Sequence, residues 1–495
     1  MIDRLFSDKE RNWSFIHAAA AYTLVLFFMF RPVNFYLLDK VYSSYYMILI
    51  PVLVGMYYFT RGLRDGLEIK ILTAYSLWIF VSRVINGQLF LELDRDLVFE
   101  SFLTCVLVGL GLGLKPSFRA KLLDILSLTV TIPYTAICAI SVYAGVFQKY
   151  LVNPITGATL VGYGEGHARI NILDLNPCNG ANWLYVSFCL LIYLFLRYKK
   201  WFYRIPILIS LLLHHLCITL AFTRSINVSA CVMVGLLAAM LVFEYKKGMT
   251  VRKKALTLVV IVCVISPLFY KSYDVSAKLL SKLHSISSVQ TTEVAELSSR
   301  SDVKWSAEPL SYVGTVEVKP LVKSSIPADS EESAKQVFLS SYERDIGFKD
   351  TGRLIIWKTA FNTMINEPQR LIKGSLTRDI VEITGSNPEI RATKGFYGHF
   401  HNSYIETLVV GGLPGFALAM AFFLLLVIKS VKLFFAPAGS VSLAMRFLCL
   451  PVCSIMIYNL FESSLFAIMD FRSVSFFIIA GFMLAAAKDL PKIKN

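Results

Sequence analysis

Residues 222–248 read FTRSINVSACVMVGLLAAMLVFEYKKG. No charged side chain interrupts the run from Ile226 to Phe243, which approaches the ~20 residues an α-helix needs to cross the hydrocarbon core of a bilayer. Arg224 stands at one end of the run, and Lys246 and Lys247 at the other. Comparable apolar runs lie near 15–30, 45–60, 69–85, 97–114, 122–147, 180–196, 205–222 and 256–269. Three more follow a long polar gap, near 414–428, 447–461 and 474–487, making about twelve. Of the 495 residues, 56% are apolar and only 17% charged. That excludes an ordinary soluble enzyme, whose charged share is nearer ~25%, and excludes disorder as the main state. The 36 Phe, 24 Tyr and 6 Trp suit a bilayer and its aromatic belts. The expected fold is an all-α polytopic membrane protein of about twelve transmembrane helices.

The net charge of +15 raises the question of nucleic acid, and its distribution answers it. With the N-terminus inside, the inward segments hold 24 Lys and Arg and the short outward segments seven, Arg224 and Arg472 among them. Translocated loops disfavour basic residues. The charge is therefore a topology signal that puts both termini in the cytoplasm, and no nucleic acid partner is implied. The N-terminal segment has mixed charge, and its apolar run continues as a span, unlike a cleavable signal peptide. Nine cysteines, all but Cys178 in or at spans, suggest neither a disulfide framework nor a thiolate metal site.

Three regions follow. Residues 1–270 hold helices 1–9; 271–402 form a large extracytoplasmic loop between helices 9 and 10; 403–495 hold a short helix and helices 10–12. The loop carries 17 basic and 16 acidic residues, a nearly neutral balance. Its 285–341 part is rich in Ser, Thr, Val and Glu and reads as a variable, partly disordered insertion; 350–402 reads as its helical, functional part. No internal repeat is apparent, and ionisable residues such as Glu100, Asp124, Glu244, Glu462 and Asp470 fall near span ends. Both points weigh against a flippase or transporter, the reading from another class.

The chemistry-bearing residues gather on the outward side. Asp350 to Ile365 reads as an amphipathic helix with Leu354, Trp357, Phe361, Met364 and Ile365 along one stripe and with Asp350 or Thr351 as its N-cap. Arg353 then sits in the first turn, where a cation is disfavoured by roughly 0.3–1 kcal/mol. A bound anion reverses that sign; the alternative is an exposed arginine with no duty. Arg224 is held close to hydrocarbon by a short connection, facing either a cavity or lipid headgroups. His214, His215 and Arg83 read as structural. In Gly398-His-Phe-His401-Asn402-Ser403-Tyr-Ile-Glu406, the Ser403/Glu406 spacing is that of a capping box, so a helix starts near Tyr404. Gly411 and Gly412 suit its end, and Pro414 the start of the next. His399 and His401 stand just before the cap, where an imidazole can act as general base toward a sugar hydroxyl. The H-x-H spacing also resembles a metal pair, but no third ligand or carboxylate cluster stands beside it.

Four motifs together resemble the bacterial O-antigen ligases and the related polysaccharide polymerases: Asn176-Pro177-Cys178-Asn179, Thr223-Arg224-Ser225, Gly352-Arg353-Leu354-Ile355-Ile356-Trp357, and His401-Asn402-Ser403-Tyr404 through Gly411, Gly412 and Gly415. The large outward loop before the last spans has the same place in that family. The resemblance implies a metal-independent, cofactor-free, inverting glycosyltransferase of the bacterial inner membrane. It would use a polyprenyl-diphosphate-linked glycan as donor on the outer face, and a glycan or lipid as acceptor. By the same resemblance Arg224 and Arg353 hold the diphosphate and His401 takes the acceptor's proton. His399, Asn402, Asn179 and Arg391 are further candidates for substrate contact, with Lys394 beside Arg391. The family residues do not separate polymerase from ligase. Polymerase is placed slightly ahead, because nothing in the outward loop suggests a docking surface for lipid A or a protein.

Overall fold

The computed structural model describes residues 51–55, 57–58, 66–87, 92–114, 116–146, 149–152, 159–163, 170–172, 177–221, 223–246, 248–290, 322–324, 353–386, 400–466 and 471–491. Helices dominate: α1 Leu67–Ile85, α2 Glu92–Leu112, α3 Pro116–Val146, α4 Pro177–Arg197, α5 Trp201–Leu220, α6 Arg224–Tyr245 and α7 Val251–Gln290. Then come three shorter ones, α8 Arg353–Asn366, α9 Pro368–Lys373 and α10 Thr377–Ser386. The chain ends on α11 Ser403–Phe434, α12 Leu443–Phe447, α13 Cys449–Tyr458 and α14 Phe471–Lys488. Among the described residues six helical segments are long and apolar enough to cross a membrane: Phe118–Val146, Gly180–Arg197, Trp201–Leu220, Ser225–Tyr245, Arg252–Leu280 and Ser403–Phe434. The expected span at 15–30 lies outside the described residues.

One departure from an all-α chain is a small antiparallel sheet in the order β3-β2-β1-β4. Its strands are β1 Lys149–Val152, β2 Thr159–Tyr163, β3 Ile170–Ile172 and β4 Val322–Ser324. The first three join α3 to α4, and β4 comes from the 285–341 stretch and pairs with β1. Part of that insertion is thus ordered on the α3–α4 connection. Runs of three to five residues are too short for an alternating pattern to stand out between long apolar spans.

The alternation of helix directions sorts the charges by end. Ion pairs Arg119–Asp489 (2.6 Å), Arg197–Asp124 (3.2 Å) and Lys488–Glu68 (3.6 Å) join the N-terminal parts of α1 and α3 to the ends of α4 and α14, and Arg446–Glu244 joins α12 to the end of α6. The opposite end collects the start of α6, the outer helices α8–α10, and the starts of α11 and α14. At mid-bundle α2 and α14 cross so closely that a Cβ on Gly481 would lie 2.4 Å from the carbonyl oxygen of Val108. A small residue is what lets two backbones approach this way.

At that opposite end α11 breaks. Gly412 has φ 62, ψ −172, a conformation that favours glycine. Pro414 lacks the N–H that would reach Val410. The carbonyls freed by the break are satisfied from elsewhere. The backbone N–H of Ser375 donates to Val409 (2.8 Å), Arg83 Nη2 to Val410 (3.2 Å), and Trp78 Nε1 to Gly411 (2.6 Å). Arg83, fully buried, also donates from Nη1 to Ser375 (2.6 Å), and Ser82 donates to the Lys373 carbonyl. The structural role expected of Arg83 is therefore a clamp on the break, tying α1 and the α9–α10 connection to α11. Arg83→Met is expected to cost about 3 kcal/mol, because two charge-assisted hydrogen bonds are lost and two buried carbonyls are left unpaired. A thermal unfolding midpoint equal to the parent's would show that the clamp contributes nothing.

Candidate functional site

The broken helix sets the first half of α11, Ser403–Gly411, apart as a short unit whose N-terminus is fixed in detail. Its N-cap is Asn402, not Ser403: Asn402 Oδ1 accepts from the N–H groups of Tyr404 (2.9 Å) and Ile405 (3.1 Å). Ser403 is drawn away from capping because its hydroxyl donates to Asn459 Oδ1 (2.6 Å) and accepts from the N–H groups of Ser464 (2.9 Å) and Leu465 (3.0 Å). The capping-box expectation is corrected accordingly, and Glu406 lies buried in the first turn. Asn402 Nδ2 donates to the Leu460 carbonyl (2.9 Å), and its backbone N–H donates to Ser463 Oγ (3.1 Å). These bonds lash the head of α11 to the 459–465 segment that follows α13.

His401 precedes the cap with φ 50, a strained region for a residue with a Cβ, costing of order 1–3 kcal/mol. Its neighbours hold it there. Trp357 Nε1 of α8 donates to the carbonyl of buried Phe400 (2.9 Å), and Asn402 is anchored on the other side. This backbone turns the imidazole toward Glu462, whose Oε2 lies 3.4 Å from His401 Nδ1. The other carboxylate oxygen, Oε1, accepts from Arg353 Nη2 at 2.9 Å. A single buried carboxylate thus bridges the candidate base and the candidate phosphate-binding arginine, and the charge of Arg472 at the start of α14 also acts on it. Burial pushes the Glu462 carboxyl up, but the His401 contact and the charges of Arg353, His401 and Arg472 outweigh it and hold the group below its usual 4.5.

That direction fixes a pH dependence. A depressed carboxylate contributes stability above its unfolded value near 4.5, and the contribution disappears as pH falls through the lowered folded value. Glu462→Gln is expected to flatten this part of the acid sensitivity. Thermal midpoints of both proteins at neutral pH and near pH 3 measure it, and an unchanged slope would exclude Glu462 as its source.

Arg353 is the first residue of α8. Its Nε is shut off from solvent and has no hydrogen-bond partner among the described residues. Such a donor costs about 1–3 kcal/mol until an acceptor reaches it. The charges of both Arg353 and Arg472 act on the one carboxylate of Glu462. The arrangement offers an imidazole oriented by a carboxylate beside a guanidinium with donor capacity for an oxyanion. The stripe expected on α8 divides between two sides: Ile356, Ala360 and Met364 are buried, whereas Leu354, Phe361 and Ile365 are exposed.

Residues 207–420 match the family model described as O-antigen ligase. The likeness covers less than half of the chain. No curated protein and no solved structure matches the chain. The matched stretch contains Arg224, Arg353, Arg391, His399, His401 and Asn402. Asn179, Glu462 and Arg472 lie outside it.

Within that region the structure brings His401, Asn402 and Arg353 together around Glu462. Arg224 is the first residue of α6, at the same end of the bundle; its side chain lies outside the described residues. His399 and Arg391 lie outside them altogether, as does Lys394, and Asn179 is described only as a backbone position in α4. Asn402 has both ends of its amide engaged in the cap and in Leu460, which makes it a positioning residue for the loop that carries His401. His214 is structural, as expected: Nε2 meets Ser187 Oγ of α4 at 2.8 Å and Nδ1 the Ser210 carbonyl at 2.8 Å. Sequence reading placed Glu462 and Arg472 at span ends and gave neither a part in the site. The available signal was an acid and an arginine flanking apolar spans, where ionisable groups call for a partner.

Proposed function

We propose that this protein is a bacterial inner-membrane glycosyltransferase that takes glycan from a polyprenyl-diphosphate-linked donor on the outer face of the membrane. The observation that carries the proposal is Glu462 bridging His401 (3.4 Å) and Arg353 (2.9 Å) at the capped head of a broken helix. The O-antigen ligase family match supports a lipid-linked glycan substrate and a multi-pass membrane setting. In this reading both termini are cytoplasmic, about twelve helices span the membrane, and residues 271–402 face outward.

The chemistry is metal-independent and inverting. Glu462 at Nδ1 favours the tautomer with its proton on that atom, so the lone pair of Nε2 is the base. As the acceptor hydroxyl oxygen bonds to the anomeric carbon, His401 takes the hydroxyl proton. The bond from that carbon to the diphosphate oxygen breaks, and the electron pair leaves with the polyprenyl diphosphate. Arg353 and Arg224 stabilise the charge that develops there. A donor already activated by diphosphate needs this charge stabilisation, and guanidinium groups supply it bidentately.

Polymerisation is placed ahead of ligation to lipid A or to a protein. The length distribution of glycan in cells with and without the gene tests the pair. Loss of the ladder to single repeat units identifies a polymerase. Full-length chains stranded on the lipid carrier identify a ligase, and an unchanged distribution on both carrier and surface rejects the transferase reading.

A further inference from the structure

We infer that the end of the bundle opposite the candidate site holds the headgroup of an anionic phospholipid at the connection between α4 and α5, through Lys199, Lys200 and Arg204. The inference does not rest on the reading of His401 and Arg353. The membrane-length segments Gly180–Arg197 and Trp201–Leu220 are joined by residues 198–200 alone. So short a connection keeps its two lysines at the bilayer surface. The next three residues, Trp201, Phe202 and Tyr203, are 64%, 81% and 48% exposed. Tryptophan and tyrosine collect at the level of the headgroups, where an apolar ring system can keep its polar tip wet. The patch is therefore basic and at headgroup depth.

Arg204 gives the patch its geometry. Its guanidinium carbon lies 4.8 Å from the centre of the Phe195 ring and 5.7 Å from that of Trp201, and its Nε donates to the Tyr198 carbonyl (2.9 Å). Two rings and a carbonyl thus fix the guanidinium, while its two Nη groups have no hydrogen-bond partner among the described residues. A planar fork held in this way is prepared for the oxygens of a phosphate. Lys199 and Lys200 are exposed, and neither they nor Arg204 pair with a carboxylate among the described residues. Asp124, which lies against the end of α4, is already engaged by Arg197 (3.2 Å) and by the Tyr193 hydroxyl (2.8 Å). Cations placed this way suit an anion, and the exposed rings beside them suit one that belongs to a bilayer. From Trp201 onward, exposed Ile205, Leu208, Ile209 and Leu212 follow at the spacing of a single helix face, over about 16 Å. An anionic phospholipid matches both parts, its phosphate between the cations and its acyl chains along that face.

The test measures binding of fluorescent phosphatidylglycerol and phosphatidylcholine, with the same acyl chains, to the purified full chain in detergent. Phosphatidylglycerol is expected to bind about tenfold more tightly. Lys199→Gln, Lys200→Gln and Arg204→Gln together are expected to abolish that preference while phosphatidylcholine binding and the thermal midpoint stay at the parent's values. Arg204→Lys keeps the charge and loses the held fork, and it is expected to lose part of the preference. Equal binding of the two lipids, or a preference that survives the triple substitution, overturns the site. A preference undiminished in Arg204→Lys overturns it in favour of diffuse charge, and this variant alone decides if the triple variant fails to fold. Displacement of phosphatidylglycerol by inorganic phosphate at similar affinity overturns the lipid as occupant in favour of the free anion.

Discussion

His401→Ala is expected to lower glycan transfer by about 10³-fold, within the ~10²–10⁴ range of a positioned general base, while the protein accumulates normally in the membrane. The expectation depends on what alanine does to the backbone. His401 has φ 50, and placing an alanine there carries a conformational cost on the order of 1 kcal/mol. A loss of activity in that variant alone is therefore ambiguous between chemistry and a disturbed loop. His401→Asn removes the ambiguity, because asparagine adopts positive φ more readily than most residues and an amide cannot take up a proton at neutral pH. Both variants are expected to fall equally in transfer, with thermal midpoints close to the parent's for asparagine and slightly lower for alanine. The measurement is transfer of a labelled lipid-linked glycan by purified protein, alongside thermal unfolding. Normal transfer by His401→Asn removes His401 from the mechanism.

The reach and the limit of the sequence both show around this residue. The membrane helices are readable because an apolar run between basic flanks has few other uses, and the break in α11 is readable because Gly411-Gly412-Leu413-Pro414 combines a conformational freedom with a missing donor. Ser403 was misread as a cap because the local spacing is correct. Its hydroxyl is claimed by Asn459, Ser464 and Leu465, partners that no local pattern reports. Glu462 is 61 positions from His401 and 109 from Arg353, and it stands beside an apolar run where a span end accounts for it fully. On α8 apolar residues stand on both sides. Periodicity found a stripe there but cannot say which residues face the interior, and the packing of Ile356, Ala360 and Met364 decided it. The candidate base and one arginine were legible as residue types in a motif; the carboxylate that joins them became visible only in the folded chain.

Arg353→Ala is expected to lower kcat/KM for the lipid-linked donor by about 10²–10³-fold, the scale of removing one oriented donor from a developing oxyanion. Arg353→Lys is expected to recover only part, since an ammonium keeps the charge and loses the planar fork. Another explanation for such a loss has to be met, because Arg353 is also the ion-pair partner of Glu462 at 2.9 Å. Its removal leaves a buried carboxylate with less compensation, which is destabilising in its own right. A cation at the first residue of α8 opposes the helix dipole, and Glu462 is a sufficient internal reason for it to be there. The double variant Arg353→Ala with Glu462→Gln separates the two roles. If Arg353 serves only to neutralise Glu462, taking away the carboxylate's charge restores transfer to the level of Glu462→Gln alone. If Arg353 also meets the diphosphate, the double variant regains thermal stability but stays as slow as Arg353→Ala. The sequestered Nε, which has no hydrogen-bond partner among the described residues, argues for the second result: a guanidinium whose only duty was Glu462 has no need to keep a donor away from water. Recovery of transfer in the double variant would return Arg353 to a structural role and leave Arg224 to hold the diphosphate.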